Sequence, residues 1–482
     1  MRRPDRLTRR ELLAGGAGFV LAAPTVPRLL EHAAQAETVG SVQQFVSRPD
    51  LLPPRIEVLH PAAQGTAPGF VFLAPSSGPG QRGAMIFDNT GELVWFHPVE
   101  RKAVTDFKVQ RFRGRPVLTW WEGKSVAGLG AGEWVVLDTT YRELARFSAV
   151  RRLHGDLHEF VISPQDTALV LANETKPWDL TSVRGTGRGV VVGGVVQELT
   201  LPGGRLLWDW HSLDHVPVDE TMIRAKPGPR FDYFHINAID VAPDGNLVVS
   251  ARNTWAAYKI DRRTGRVLWR LGGKKSDFAL GPGARFEWQH DVREHAGGLV
   301  SLFDNAAAPQ EEPESRALLL SLDRKRKRAS LVRAYKHRPE PVLSHFLGNT
   351  QLLSTGGVFV GWGGSPYVTE FARAGAIVFD ARLPHGGQSY RAFRFPWAGT
   401  PTDRPSVAVR DGSLFASWNG ATGVAAWQLL EGASASALRA GRTVPRAGFE
   451  TALTLGPQAR SAAVVALDAS GNRLGTSATV TP

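Results

Sequence analysis

The feature that most restricts the fold of this chain is a hairpin that returns at intervals of about 50 residues. "HEFVISPQDTALVLAN" from His158, "HINAIDVAPDGNLVVSARN" from His235, "HDVREHAGGLVSLFDN" from His290 and "HFLGNTQLLSTGGVFVGWGG" from His345 are four copies. "DFKVQRFRGRPVLTWW" from Asp106 has the same form without the histidine. Most are followed by a second hairpin of apolar run, acidic residue, turn and apolar run, as in "AAYKIDRRTGRVLWRL" and "YVTEFARAGAIVFDARL". The turns carry "PDG" at 243–245 and "STGG" at 354–357, and the runs between them are apolar without alternation, as in strands buried on both faces. Four short strands at this period predict a propeller blade, since one meander alone cannot cover both of its faces.

Counting "GFVFLAP…GAMIFDNTGELVWF" (69–96) as the first unit gives six units. The expectation is therefore an all-β chain with a six-bladed β-propeller over 67–400, stretched between blades by an insertion at 174–231. After residue 400 the texture changes. "RPSVAVRDGSLFASWNGATGVAAWQLLEG" and "SAAVVALDASGNRLGTSATV" predict a fibronectin III/Ig-like β-sandwich over 401–482, with Trp418 and Trp427 in its core. The proline-rich segment 37–66 reads as an arm or edge strand.

Residues 1–36 stand apart from the fold. Arg9 and Arg10 precede an apolar run from Leu12 to Ala23, and Ala34-Gln35-Ala36 follows as a small-residue cleavage site. This is the pattern of a twin-arginine (Tat) signal peptide, which predicts export by the Tat machinery and a secreted or envelope-associated protein. The formal charge is +12; six Arg against Asp5, Glu11 and Glu31 in the leader leave +9 for the remainder, a balance that favours anionic ligands. The tightest basic run, "RKRKR" at 324–328, falls in an expected turn with no interleaved aromatics, so no nucleic-acid partner is predicted. The chain has no cysteine, which excludes disulfides, thiolate zinc sites and cysteine nucleophiles.

In a propeller the start of each innermost strand and the end of the next strand face the same mouth. His158, His235, His290 and His345 are thus expected to converge, with Asn173, Arg252, Asp304, Asn305 and Trp362 just outside them, and Asn237 and Gln289 flanking. One histidine at a strand end is ordinarily a structural residue. Four in one slot point to a shared role, although blade duplication supplies a rival explanation. Two chemistries suit the set. Arg252 and imidazolium N–H groups could grip the oxygens of a sulfuryl or phosphoryl group while a neutral imidazole attacks it. Alternatively three imidazoles, with Asp156, Glu159, Asp291 or Asp304, could hold a divalent metal for a lyase or hydrolase, though Arg252 argues against a cation beside it. A non-catalytic propeller that binds an anion is a third reading.

The blades "DLHEFVISP…LVLAN", "FHINAIDVAPDGNLVVSARNTWAAYKIDRRTGRVLWRLGG", "WQHDV…SLFDN" and "SHFLGN…GVFVGWG" resemble the bacterial arylsulfotransferases, the PAPS-independent aryl-sulfate sulfotransferases, and most closely their actinobacterial branch. The order H-x-N, S-x-R-N, W-x-L-G, Q-H-D carries the resemblance, over roughly 67–400. It implies a six-bladed propeller that moves a sulfuryl group from a phenolic sulfate ester to a phenol through a sulfohistidine, with no cofactor. Carried over by motif, His290 of Q-H-D would be the nucleophile, His235 and Arg252 would bind the sulfuryl oxygens, and His158 would assist there or carry the phenol proton. Asn237, Asn173, His345, Trp362 and Gln289 are the expected substrate-binding residues. Trp120, Trp121 and Trp255 are, with Trp362, candidates for an aromatic wall, although core packing also accounts for each. The chain departs from well-studied members in lacking a cysteine pair. No Gly-rich strand–helix loop offers a nucleotide phosphate site.

Overall fold

The computed structural model describes residues 40–482 apart from 127, 227 and 229. The expected signal segment lies outside the described residues. What they form is almost entirely antiparallel sheet, with one short α-helix, Ser212–His215, among them. The apolar runs of the repeat become strands because each is flanked by turn residues and is buried by neighbours on both sides. Leu247–Ala251 and Gly83–Phe87, for example, are buried at every position.

The strands meander in groups of four. Ile236–Val241 leads into Leu247–Ala251, Ala256–Ile260 and Val267–Gly272 as one four-stranded sheet. His290–Glu294, Leu299–Asp304, Arg316–Asp323 and Arg328–Tyr335 form the core of another, with Ala279–Leu280 on its edge. Asn349–Leu352 begins a sheet whose outer edge receives Glu57–His60, so the arm does contribute an edge strand. Two meanders beginning at Ala103–Phe112 and His154–Ile162 are joined into one large sheet by the pair Gly132 and Gly155. The "RKRKR" run lies on the turn between Arg316–Asp323 and Arg328–Tyr335, with Arg326 paired to Asp323. Much of the expected insertion is regular: Gly189–Thr200 and Leu206–His211 complete the sheet begun by His154–Ile162.

The first strands touch in succession: Ala103–Phe112, His154–Ile162, Ile236–Val241, His290–Glu294, Asn349–Leu352, Gln388–Phe395, and then Ala103–Phe112 again. Gln388–Phe395 pairs with Phe70–Ser77, so the sheet containing the first apolar unit is completed by the strand nearest residue 400. Side chains near the strand starts stitch neighbours together. Asp106 accepts the Phe160 N–H (3.1 Å), Asp291 the Thr350 N–H (3.0 Å), and Asn349 exchanges two bonds with the Ala392 backbone.

The axis of this ring is filled by charge rather than by apolar side chains. Arg391, fully buried, donates to Asp106 (2.9 Å) and Glu159 (2.7 Å); Lys108 pairs with the same two carboxylates, and Arg293 with Asp291 and Glu159. Burial would raise the Glu159 carboxyl, but Arg293, Arg391 and Lys108 together hold it well below the usual range. Each buried carboxylate is shared by at least two of these cations, so the network ties together the strands that carry the histidines.

Residues Ser406–Arg410, Ser413–Ser417 and Glu450–Thr454 make a three-stranded sheet, and Ala426–Gly432, Arg439–Pro445, Ser461–Leu467 and Arg473–Thr476 a four-stranded one. Leu414, Leu429, Leu453, Val464 and Trp427 form their shared core. Trp427 is buried as expected. Trp418 is only half-buried, packing at the margin of that core with its indole N–H donated to the Asp403 carbonyl (3.0 Å).

Candidate active site

Three imidazoles and one guanidinium meet where three adjacent first strands begin. The rings of His158 and His235 stand edge to face with centroids 5.0 Å apart. His290, buried on the next strand start, lies close enough to His158, His235 and Arg252 for all three to depress its basicity. The local backbone explains how residues of differing register reach one place. His158 is inside its strand; His290 opens its own; His235 precedes Ile236–Val241 in a left-handed conformation (φ 53°) that breaks the strand's side-chain alternation. Arg252 donates its backbone N–H to the His235 carbonyl (3.0 Å), which closes the hairpin that pairs them.

All three imidazoles are tethered at Nδ1. His158 Nδ1 bonds the Asp156 carboxylate, and His235 Nδ1 bonds Asp232 Oδ2 at 2.5 Å. His290 Nδ1 bonds Asn305 Oδ1 at 2.7 Å. The orientation of the Asn305 amide follows from its other end: Nδ2 donates to the carbonyls of Ser344 and Leu347, both at 2.9 Å, so the oxygen must face His290. His290 therefore carries its proton on Nδ1, and Nε2 holds the lone pair. Among the described residues none of the three Nε2 atoms has a hydrogen-bond partner.

The electrostatics separate the roles. Burial, reinforced by Arg252, holds the His290 imidazole well below its ordinary value, so it is neutral at neutral pH. Burial also lowers His158, against the opposing pull of Asp156. Burial pushes Arg252 down to about 10, which still leaves it charged. The Arg252 guanidinium lies over the Trp288 ring, 4.6 Å from its centroid, and donates to the His345 carbonyl (3.3 Å). Trp255 packs edge-on against Trp288 (5.1 Å).

The remaining expected residues divide. Asn173 reaches the site through Asp156, donating Nδ2 to Oδ2 at 2.8 Å, while the Gly130 N–H holds the same oxygen at 2.9 Å. Asn237 and Gln289 are fully buried supports: Asn237 Nδ2 donates to the Gln289 carbonyl (2.7 Å), and Gln289 Nε2 donates to the Ala251 and Ala256 carbonyls (3.0 and 3.1 Å). His345 does not join the imidazole cluster. It is exposed, four residues before the strand that starts at Asn349, and its backbone carbonyl is what meets Arg252. Trp362 is not at the mouth: its ring is fully buried against Phe303 and His337, and its N–H goes to Thr369 Oγ1 at 2.9 Å. Trp120 and Trp121 are likewise buried in the core.

Each carboxylate weighed as a metal ligand already has other work. Asp156 holds His158, Glu159 and Asp291 belong to the axial network, and Asp304 binds Arg316 (2.9 Å) and the Glu287 N–H (3.0 Å). Among the described residues no three His or acidic side chains are grouped to hold a metal ion. Sequence reasoning missed Asp232 and Trp288. Their signals were adjacency alone, Asp232 three residues before His235 and Trp288 two before His290.

Residues 108–383, more than half of the chain, match the family model described as arylsulfotransferase (ASST). No curated protein matches the chain. Among solved structures, a protein of unknown function from Bacteroides caccae aligns at 15% identity and TM-score 0.43, covering 68% of this chain and 98% of that one. An inactive virginiamycin B lyase from Staphylococcus aureus, with quinupristin, aligns at 7% identity and TM-score 0.36, over 76% and 97%. Kuenenia stuttgartiensis hydrazine synthase aligns at 13% identity and TM-score 0.35, over 74% and 96%.

Proposed function

This chain belongs to the arylsulfotransferase family, and we propose that it is an exported aryl-sulfate sulfotransferase working through a sulfated His290. The observation that carries the reading is the fixed tautomer of His290: a neutral imidazole with Nδ1–H given to Asn305 and Nε2 presented beside Arg252. A nucleophile needs that lone pair, and a transferring sulfuryl group needs cationic donors at its oxygens.

In the first half-reaction the Nε2 lone pair attacks sulfur, the S–O(aryl) bond breaks, and the phenolate leaves. Arg252 donates to the sulfuryl oxygens as charge builds on them, and His235, oriented through Nδ1 by Asp232, stands beside it. The phenolate departs as the anion and takes its proton from solvent, because burial keeps His158 neutral with its proton on Nδ1 beside Asp156. In the second half the acceptor phenol gives its proton to the free Nε2 of His158, its oxygen attacks sulfur, and the N–S bond breaks; His158 then passes the proton to solvent. Atoms and charge balance without a cofactor. Substrates are phenolic sulfates and phenols. Trp288 and Trp255 supply the flat apolar wall nearest Arg252 for the aryl ring, in place of Trp362.

The same reading takes the ring of first strands as a six-bladed propeller over 67–400, the sheets beyond it as a fibronectin III-like sandwich over 401–482, and residues 1–36 as a Tat signal that sends the enzyme out of the cytoplasm. Support for these comes from the strand succession, the shared core around Trp427, and the Arg9-Arg10 pattern.

The test is intact-mass spectrometry after brief mixing with p-nitrophenyl sulfate. Wild type is expected to gain one sulfuryl group and His290→Ala none. Nitrophenol release without a covalent adduct would discard the sulfohistidine, and no release with any phenol acceptor would discard transferase chemistry.

A further inference from the structure

Beside the histidines lies a cavity of about 430 Å³ that the transfer chemistry does not use. Gly130, Arg152, His154, Asn173, Lys176 and Arg230 line it, together with Glu174. Its charge is unbalanced. Glu174 is already bracketed by Lys176 and His211, each at 3.0 Å. Arg152 and Arg230 make no ion pair or side-chain hydrogen bond among the described residues. Two guanidinium groups thus face the rim of one cavity with no carboxylate to answer them.

The cavity adjoins the site through shared groups. Gly130 and Asn173 form part of its wall and also grip Asp156, whose other oxygen holds His158. Arg230 lies two residues before Asp232, the partner of His235. The neighbouring Gly128 runs so near His235 that a Cβ there would stand 3.1 Å from Cε1. A molecule seated in the cavity therefore borders the imidazoles that would handle the sulfuryl group.

We infer that this cavity is an anion subsite, and that the substrates are phenols carrying a second anionic substituent (carboxylate, phosphate or sulfate). The inference rests on the transferase reading above and names its substrate class. Planar guanidinium groups bind such oxyanions in pairs of hydrogen bonds, and at an open rim they select by charge more than by shape.

The experiment compares 4-hydroxyphenylacetate with its neutral methyl amide as acceptors, p-nitrophenyl sulfate being the donor, for wild type and the double variant Arg152→Gln, Arg230→Gln. Wild type is expected to favour the anion by about tenfold in kcat/KM at low salt, the preference shrinking as salt screens it. The double variant should lose the preference and keep its rate with the amide. Absence of preference in wild type, or equal losses with both acceptors, overturns the subsite while leaving the transferase reading intact. Titration calorimetry with 4-hydroxyphenylacetate covers the case in which neither acceptor is sulfated. Binding to wild type that disappears in the double variant then upholds the subsite as the transferase reading falls, and absence of binding removes both.

Discussion

Replacing Asn305 by Asp tests the central argument at its most exposed point. The side chain keeps an oxygen 2.7 Å from His290 Nδ1 but turns a dipole into a charge. An opposite charge this near raises an imidazole by ~1–3 units, and each unit costs tenfold in neutral ring at any pH below the new value. In wild type, burial and Arg252 keep His290 neutral, so the nitrophenol burst from p-nitrophenyl sulfate should be flat from about pH 6 to 9. In Asn305→Asp the acid limb on which the burst is lost should move up by ~1–3 pH units relative to wild type, each unit worth tenfold at a pH on that limb. The substitution also forfeits two donations, to the Ser344 and Leu347 carbonyls, worth ~1 kcal/mol each or somewhat more. Asn305→Ala suffers the same loss without the charge, so it is the control: slower, but still flat. Stopped-flow measurement of the three profiles decides by shape rather than by height. An Asn305→Asp profile that overlays wild type would refute the fixed tautomer as the source of the nucleophile.

Arg252→Lys removes the planar fork and its stacking on Trp288, and should lower kcat/KM for p-nitrophenyl sulfate by ~10²-fold in steady-state assays. His158→Ala should slow transfer to weakly acidic phenol acceptors far more than to acidic ones, seen as a steeper dependence of rate on acceptor pKa; an unchanged slope would rule out His158 as the base. Trp362→Ala should cost ~3–5 kcal/mol in urea unfolding and leave KM where it was, since the ring is core. His158 and His290 are both lowered in the folded state, so their contribution to stability is complete above about pH 6.5, the unfolded value. It declines by up to ~1.4 kcal/mol per pH unit per group as pH drops toward the folded values, and acid-unfolding curves of His290→Gln should show that slope reduced.

The repeat made the sheets and the meeting of His158, His235, His290 and Arg252 legible, because strand period and turn residues are local properties. What it hid was register. The histidine letter in "HINAI", "HDVRE" and "HFLGN" sits before, at and four residues ahead of the strand start, and only left-handed residues such as His235 and Leu347 (φ 67°) account for the difference. His345 was therefore misplaced by alignment of letters, and Trp362 by the assumption that strand ends face the mouth. Asp156 looked like a free carboxylate, and Asp232 went unread, because a sequence does not say which ring nitrogen a neighbour will take. The axial network was likewise unreadable: Lys108, Glu159, Arg293 and Arg391 come from distant strands and become partners only at the centre of the ring.

The pairing of Phe70–Ser77 with Gln388–Phe395 sets a timetable for the newborn chain. The strand that needs its neighbour soonest receives it last: translation from residue 77 to residue 388 takes roughly 15–60 s at ~5–20 residues per second. Throughout that interval the Phe70–Ser77 edge, with Val71, Phe72 and Leu73 destined for full burial, waits with its backbone groups unclaimed. A stall or cut anywhere in between leaves not one blade missing but a ring that cannot shut.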